Sequence, residues 1–204
     1  MNNIVETLNF TVDINELRQY YSTVEDNYDH LCWSCNRYED SIIPQWKEAA
    51  SLNPANLLTY GWAIQSNLKD RSIVCPPWDI TIHEKASYQN TPLAFGIIEK
   101  LQETIPYGYK WAISVQPPGG VVSVHSDQLD ECTVWIPVYT YGTAITFVTD
   151  SEINVDLEAN GSAYLLDTTI PHYTHNSSNN NRVTLICRLN KRYSPVLRSI
   201  TGQL

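Results

Sequence analysis

Apolar and polar positions follow two different rhythms along this chain, and the change falls near residue 107. Before it, Leu17, Tyr20, Tyr21 and Val24 recur at three- and four-residue spacing and predict a helix over 14–24. Asp13, with Glu16 three residues on, supplies a capping-box-like start. A second helix is predicted to open at Thr91-Pro92, with threonine as N-cap and proline in the first helical position. Its apolar stripe is Leu93, Ile97, Ile98, Leu101 and Ile105, and it should end near Thr104. Residues 26–47 have no sustained period and read as loop, with at most a short helix after Ser41 or Pro44. The stretch 57–65 has a strand-like run interrupted by Gly61, and Cys75-Pro76-Pro77-Trp78 reads as a turn or extended segment.

From residue 107 onward, short β-branched and aromatic runs alternate with turns. Seven strands are predicted, over 111–116, 121–125, 133–139, 143–148, 153–157, 162–166 and 182–189. Pro117-Pro118-Gly119-Gly120 and Ala159-Asn160-Gly161 provide turn chemistry between some of them. The expected fold class is mainly β with flanking helices, a double-stranded β-helix of the jelly-roll, cupin-like kind. A length of 204 residues suits a single domain, with residues 1–106 as a helical and loop extension and 107–190 as the jelly-roll core.

Composition narrows the functional classes. Hydrophobic residues make up 43% and charged residues 17%, the balance of a globular chain. The net charge of −9 and the lack of a clustered basic stretch argue against a free duplex nucleic acid partner. No stretch approaches eighteen apolar residues and the start has no basic leader followed by an apolar run, so a soluble, cytoplasmic protein without a membrane partner is expected. Five cysteines, Cys32, Cys35, Cys75, Cys132 and Cys187, do not form a disulfide pattern. Cys32 and Cys35 have redox-motif spacing without a surrounding βαβ pattern, and a zinc site there would need a second close pair besides His30. Packing or loop roles come first for these cysteines, and His83 beside Glu84 reads as exposed or supporting rather than catalytic.

The chemistry gathers later in the chain. The strand ending Val-His-Ser-Asp places His125 and Asp127 two residues apart, on one face. That triplet is common by itself. It gains meaning from a Pro-Gly-Gly turn just before it, from His172 and His175 after a sheet's worth of strands, and from Arg182 and Thr184 heading the last strand. Two imidazoles and one carboxylate are the donor set of a non-haem iron site with open positions. His172 and His175 compete for the third position, in opposite strand phases, with His175 beside Asn176.

In these residues the chain resembles the iron(II)- and 2-oxoglutarate-dependent dioxygenases, particularly the aspartyl/asparaginyl β-hydroxylase-like and proline-hydroxylase-like branches. The resemblance covers roughly 107–189. It rests on Pro-Gly-Gly before His125-Ser126-Asp127, and on His172-Tyr-Thr-His-Asn176 with Arg182 six residues past the asparagine. It implies iron held by His125, Asp127 and His172, with Arg182, a planar two-point donor, clamping the far carboxylate of 2-oxoglutarate. Thr184 stands where the family carries a serine and would add a further donor. The implied reaction uses O2, converts 2-oxoglutarate to succinate and CO2, and hydroxylates an unactivated C–H bond of an amino acid, a peptide or protein side chain, or a small metabolite. The competing expectations are a cupin-like metal enzyme without 2-oxoglutarate and a non-catalytic jelly-roll binding protein.

Overall fold

The computed structural model describes residues 4–28, 31–33, 59–64, 92–105, 107–127 and 129–204. Twelve strands among these residues form two sheets, as expected of a jelly-roll sandwich. Strands β1 (Val5–Thr11), β2 (Leu31–Trp33), β3 (Thr59–Ile64), β4 (Lys110–Gln116), β6 (Glu131–Tyr139), β9 (Ser162–Leu166), β11 (Arg182–Asn190) and β12 (Gly202–Gln203) make the larger sheet, in the order β12-β1-β9-β6-β11-β4-β3-β2. The smaller sheet is β5 (Val121–His125), β10 (His172–His175), β7 (Thr143–Val148) and β8 (Glu152–Asp156), in the order β5-β10-β7-β8. The seven predicted strands are all present. Strands β1, β2, β10 and β12 were not predicted.

Because strand side chains alternate, each strand of the larger sheet feeds two different cores. Val183, Leu185, Cys187 and Leu189 of β11, with Trp111, Ile113 and Val115 of β4, face the helices. There they meet Leu17, Tyr20, Tyr21 and Val24 of α1 (Ile14–Asn27) and Ile97, Ile98 and Leu101 of α2 (Ile97–Thr104). Between the sheets lies a smaller apolar cluster of Ala144, Ile145, Phe147, Leu157, Tyr164 and Leu166, with Trp135 against it. Trp111 therefore belongs to the helix side, and Trp135 to the side shared with the smaller sheet.

Asp13 caps α1 as its sequence suggests, its carboxylate accepting from the backbone N–H groups of Asn15 and Glu16. Glu16 turns instead to Lys100 of α2, at 3.4 Å. The second helix begins later than predicted, at Ile97. Gly96, at φ +56°, breaks the helical path, and Phe95 packs its ring against Tyr20 at 4.8 Å while Leu93 stays exposed. The expected helical and loop extension also needs correcting: β1 and β3 are built into the larger sheet, paired with β9 and β4. The side chains of Cys32 and Cys35, and His30, Cys75, His83 and the start of the predicted second helix at Thr91, lie outside what is described.

Candidate functional site

The site residues are set by register. β10 runs between β5 and β7, and His172 stands opposite both His125 of β5 and Phe147 of β7. The His125 and His172 ring centroids are 4.4 Å apart, and Phe147 covers His172 at 5.8 Å. His172 is buried at 3% exposure, whereas His175 at the end of β10 is exposed. The Nδ1 of His172 lies 2.9 Å from the Ile170 carbonyl, which can only accept. Nδ1 is therefore the protonated nitrogen of the neutral ring, and Nε2 carries the lone pair. Burial is the largest influence on this imidazole and pushes its pKa below the ordinary value, outweighing the Ile170 hydrogen bond and Asp127, so the ring is neutral at pH 7.

Asp127 follows β5 and is buried. Its backbone N–H donates to the Thr168 carbonyl at 2.8 Å, and one carboxylate oxygen sits 3.1 Å from Arg188. Asp127 is close enough to His172 to act on its titration. Among the described residues no three His, Cys, Asp or Glu side chains already stand in a metal-binding arrangement. The two imidazoles are side by side, and the Asp127 carboxylate is drawn to Arg188. The donors nevertheless fit a divalent ion chemically: one imidazole has its tautomer fixed by a carbonyl, a second lies beside it, and a buried carboxylate is nearby.

Arg182 and Thr184 lie on the face of β11 turned toward the smaller sheet. Arg182 is 4% exposed, and its guanidinium donates to the Thr143 carbonyl of β7 at 2.6 Å and to the side-chain oxygen of Gln116, its register partner on β4. Gln116 passes the link on, its amide donating to the Thr174 hydroxyl at 3.1 Å and the Gly120 carbonyl at 2.8 Å. Arg182 is thus joined through one amide to β10, two residues from His172. Burial brings its pKa down to about 10, and no acidic group contributes. At pH 7 it is a buried cation without a carboxylate partner among the described residues.

Two further features mark that end of the sheet. The hydroxyls of Thr59 and Thr140 are buried and have no hydrogen-bond partner among the described residues. Thr59 adjoins Tyr60, which pairs with Val115 on β4, and Thr140 follows Tyr139, which pairs with Val183 on β11. The two hydroxyls therefore flank the Gln116 and Arg182 positions on neighbouring strands. The structure also explains why Pro-Gly-Gly and Asn176 occur together. Asn176 exchanges backbone hydrogen bonds with Gly119 and Gly120, and its side chain donates to the Gln116 carbonyl at 2.6 Å and the Asn180 carbonyl at 2.7 Å.

Sequence reasoning missed Gln116, Arg188 and the two threonines. Arg188 was within reach, because six residues from Arg182 on one strand is an even step and so lies on the same face. The orphaned hydroxyls leave no trace in sequence.

No protein-family model matches the chain, and no curated protein matches it. Among solved structures, it is similar to an oxidoreductase of the 2OG-Fe(II) oxygenase family from Burkholderia pseudomallei, at 9% identity over 87% of this chain and 80% of that one, with a TM-score of 0.52. It also matches a non-haem monooxygenase, ThoJ, as a nickel complex, at 10% identity, 92% and 74% coverage and a TM-score of 0.46. A cupin domain from Bordetella pertussis Tohama I aligns over 39% of this chain and 79% of that one, at 21% identity and a TM-score of 0.34. At 9% identity and a TM-score of 0.52, the first of these likenesses supports the two-sheet fold described above and nothing beyond the fold. Among the described residues no helix is long and apolar enough to cross a membrane.

Proposed function

We propose that this chain is an iron(II)- and 2-oxoglutarate-dependent oxygenase that hydroxylates an unactivated C–H bond of an amino acid, a peptide or protein side chain, or a small metabolite. The observation that carries the reading is Arg182: a buried guanidinium with no carboxylate partner among the described residues, reaching between the sheets on the side that holds the imidazole pair. A buried cation without a counter-ion favours an anionic ligand, and a planar fork suits a carboxylate. The hydroxyls of Thr59 and Thr140 would add donors to the same carboxylate.

His125, Asp127 and His172 would hold the iron, with Nε2 of His172 as its donor. When bound, the iron would supply the activation of O2, coupled to conversion of 2-oxoglutarate to succinate and CO2 and to insertion of one oxygen atom into the C–H bond. The protein's share is placement. Arg182 and Thr184 fix one end of the co-substrate, the Gln116 amide ties that end to β10, and Phe147 covers the buried side of His172.

The test is anaerobic addition of iron(II) and then 2-oxoglutarate to the purified protein, watching for the visible charge-transfer band of the chelate, followed by succinate measurement on admitting O2. Band and succinate together support the reading. Iron binding with neither would move the chain to a cupin-like metal enzyme without 2-oxoglutarate, and no metal binding would leave a jelly-roll binding protein.

A further inference from the structure

The inward face of β11 carries a second arginine, Arg188, whose surroundings are more elaborate than a surface ion pair. One terminal nitrogen of Arg188 lies 3.1 Å from Oδ1 of Asp127, and the other lies 3.2 Å from Oε2 of Glu131. Oε1 of Glu131 accepts from the Tyr109 hydroxyl. Both carboxylates are 3% exposed at the side chain, against 23% for the arginine. The backbone of Asp127 is held from the same direction. Thr168, whose carbonyl takes the Asp127 N–H, shares a 3.0 Å hydroxyl contact with Thr133, and Thr133 is the register partner of Arg188 on β6. Main chain and side chain of Asp127 are therefore both referred to one place where β6 meets β11.

We propose that Arg188 is a positioning residue for Asp127: anchored by Glu131 and Tyr109, its guanidinium holds Oδ1 so that the carboxylate offers Oδ2 as a one-oxygen donor to the metal. This rests on the metal reading given above. Charge accounts for the presence of Glu131. A lone arginine beside a dication would repel it and compete for Asp127, whereas Glu131 neutralises the arginine and leaves the Asp127 charge for the metal. Two terminal nitrogens serving two carboxylates also set the orientation of Asp127, which a point charge such as lysine would not do.

The experiment titrates the whole chain with cobalt(II), following visible absorption and binding heat, in wild type, Arg188→Lys, Glu131→Gln and Tyr109→Phe. Partners that orient a metal ligand typically change metal affinity by about 10–100-fold. Arg188→Lys and Glu131→Gln are expected to weaken cobalt binding by roughly that factor and to shift its ligand-field bands. Tyr109→Phe, which removes one hydroxyl and keeps the ring, should weaken it in the same direction by less. It carries the comparison if circular dichroism shows either of the other variants unfolded. Unchanged affinity and spectrum overturn the proposal, and tighter binding overturns it too, since that would make Arg188 a competitor for Asp127. A wild-type chain that binds no cobalt removes the metal reading itself, a result distinguishable from failure of the variants alone.

Discussion

His172 and His175 are three residues apart in the same short strand, yet the fold treats them differently. His172 is buried, tautomer-fixed by Ile170 and set against His125, while His175 faces solvent. His172→Ala should therefore abolish tight iron(II) or cobalt(II) binding, and His175→Ala should leave it within about twofold of wild type, the scatter expected of surface substitutions. Calorimetric titration of both variants checks this, and equal losses would reopen the choice of third ligand. Arg182 makes a separate prediction. Charge-assisted hydrogen bonds contribute about 1.5–3 kcal/mol, so Arg182→Ala should weaken 2-oxoglutarate binding by about 10–150-fold. Metal affinity should change little, because Arg182 contacts Gln116 and Thr143 rather than a proposed ligand. If 2-oxoglutarate binds the variant as well as wild type, Arg182 is structural, bracing β11 against β7.

Whether a segment was legible depended on where its information sits. The strands from β4 to β9 and β11 carry runs of β-branched residues and were readable from pattern alone. β10 was not, because His172-Tyr-Thr-His175 is short and its inward positions are polar for the sake of the site. β1 does alternate, with Leu8 and Phe10 buried and Thr7, Asn9 and Thr11 exposed, but its partners β9 and β12 lie far away in sequence, so local pattern could not place it. The candidate site divides in the same way. His125, Asp127, His172 and Arg182 were singled out as candidates by spacing and resemblance, while the hydrogen bond of Gln116 to Arg182 and the ion pair of Glu131 with Arg188 come from cross-strand neighbours that spacing does not reveal. Two of the joints now evident can be tested by stability. Asp13→Ala removes the cap of α1 and should cost about 1 kcal/mol in denaturant unfolding. Gly161 sits at φ +92°, and a Cβ there would lie 2.2 Å from the Val12 carbonyl oxygen, in the turn leading into β9, the partner of β1. Gly161→Ala should therefore cost more than the roughly 1 kcal/mol of an unfavourable backbone change alone, and a smaller loss would mean that β1 can shift aside at little cost.

The larger sheet separates two apolar layers, one under the helices and one against the smaller sheet, and β1 ties the beginning of the chain into it. Phe10 of β1 is fully buried in the helix-side cluster, remote in sequence from every site residue. If the strands of the larger sheet form one cooperative unit, truncating it should lower the stability of the site as well as of β1. Phe10→Ala in a packed core costs about 3–5 kcal/mol. For a domain of this size each kcal/mol moves the melting temperature by roughly 2–4 °C, giving an expected drop of about 6–20 °C. The drop should be the same by far-ultraviolet circular dichroism, which follows the secondary structure, and by the fluorescence of the six tryptophans, among them Trp62, Trp111 and Trp135 in β3, β4 and β6. A detachable N-terminal layer would behave differently, with an early transition confined to the helices and β1 and the original midpoint kept by cobalt binding at His125 and His172. Coincident transitions, with cobalt release at the same lowered temperature, are the outcome expected if the proposed ligands His125 and His172, on the smaller sheet, depend on Arg182 and Arg188, which reach toward them from the larger one.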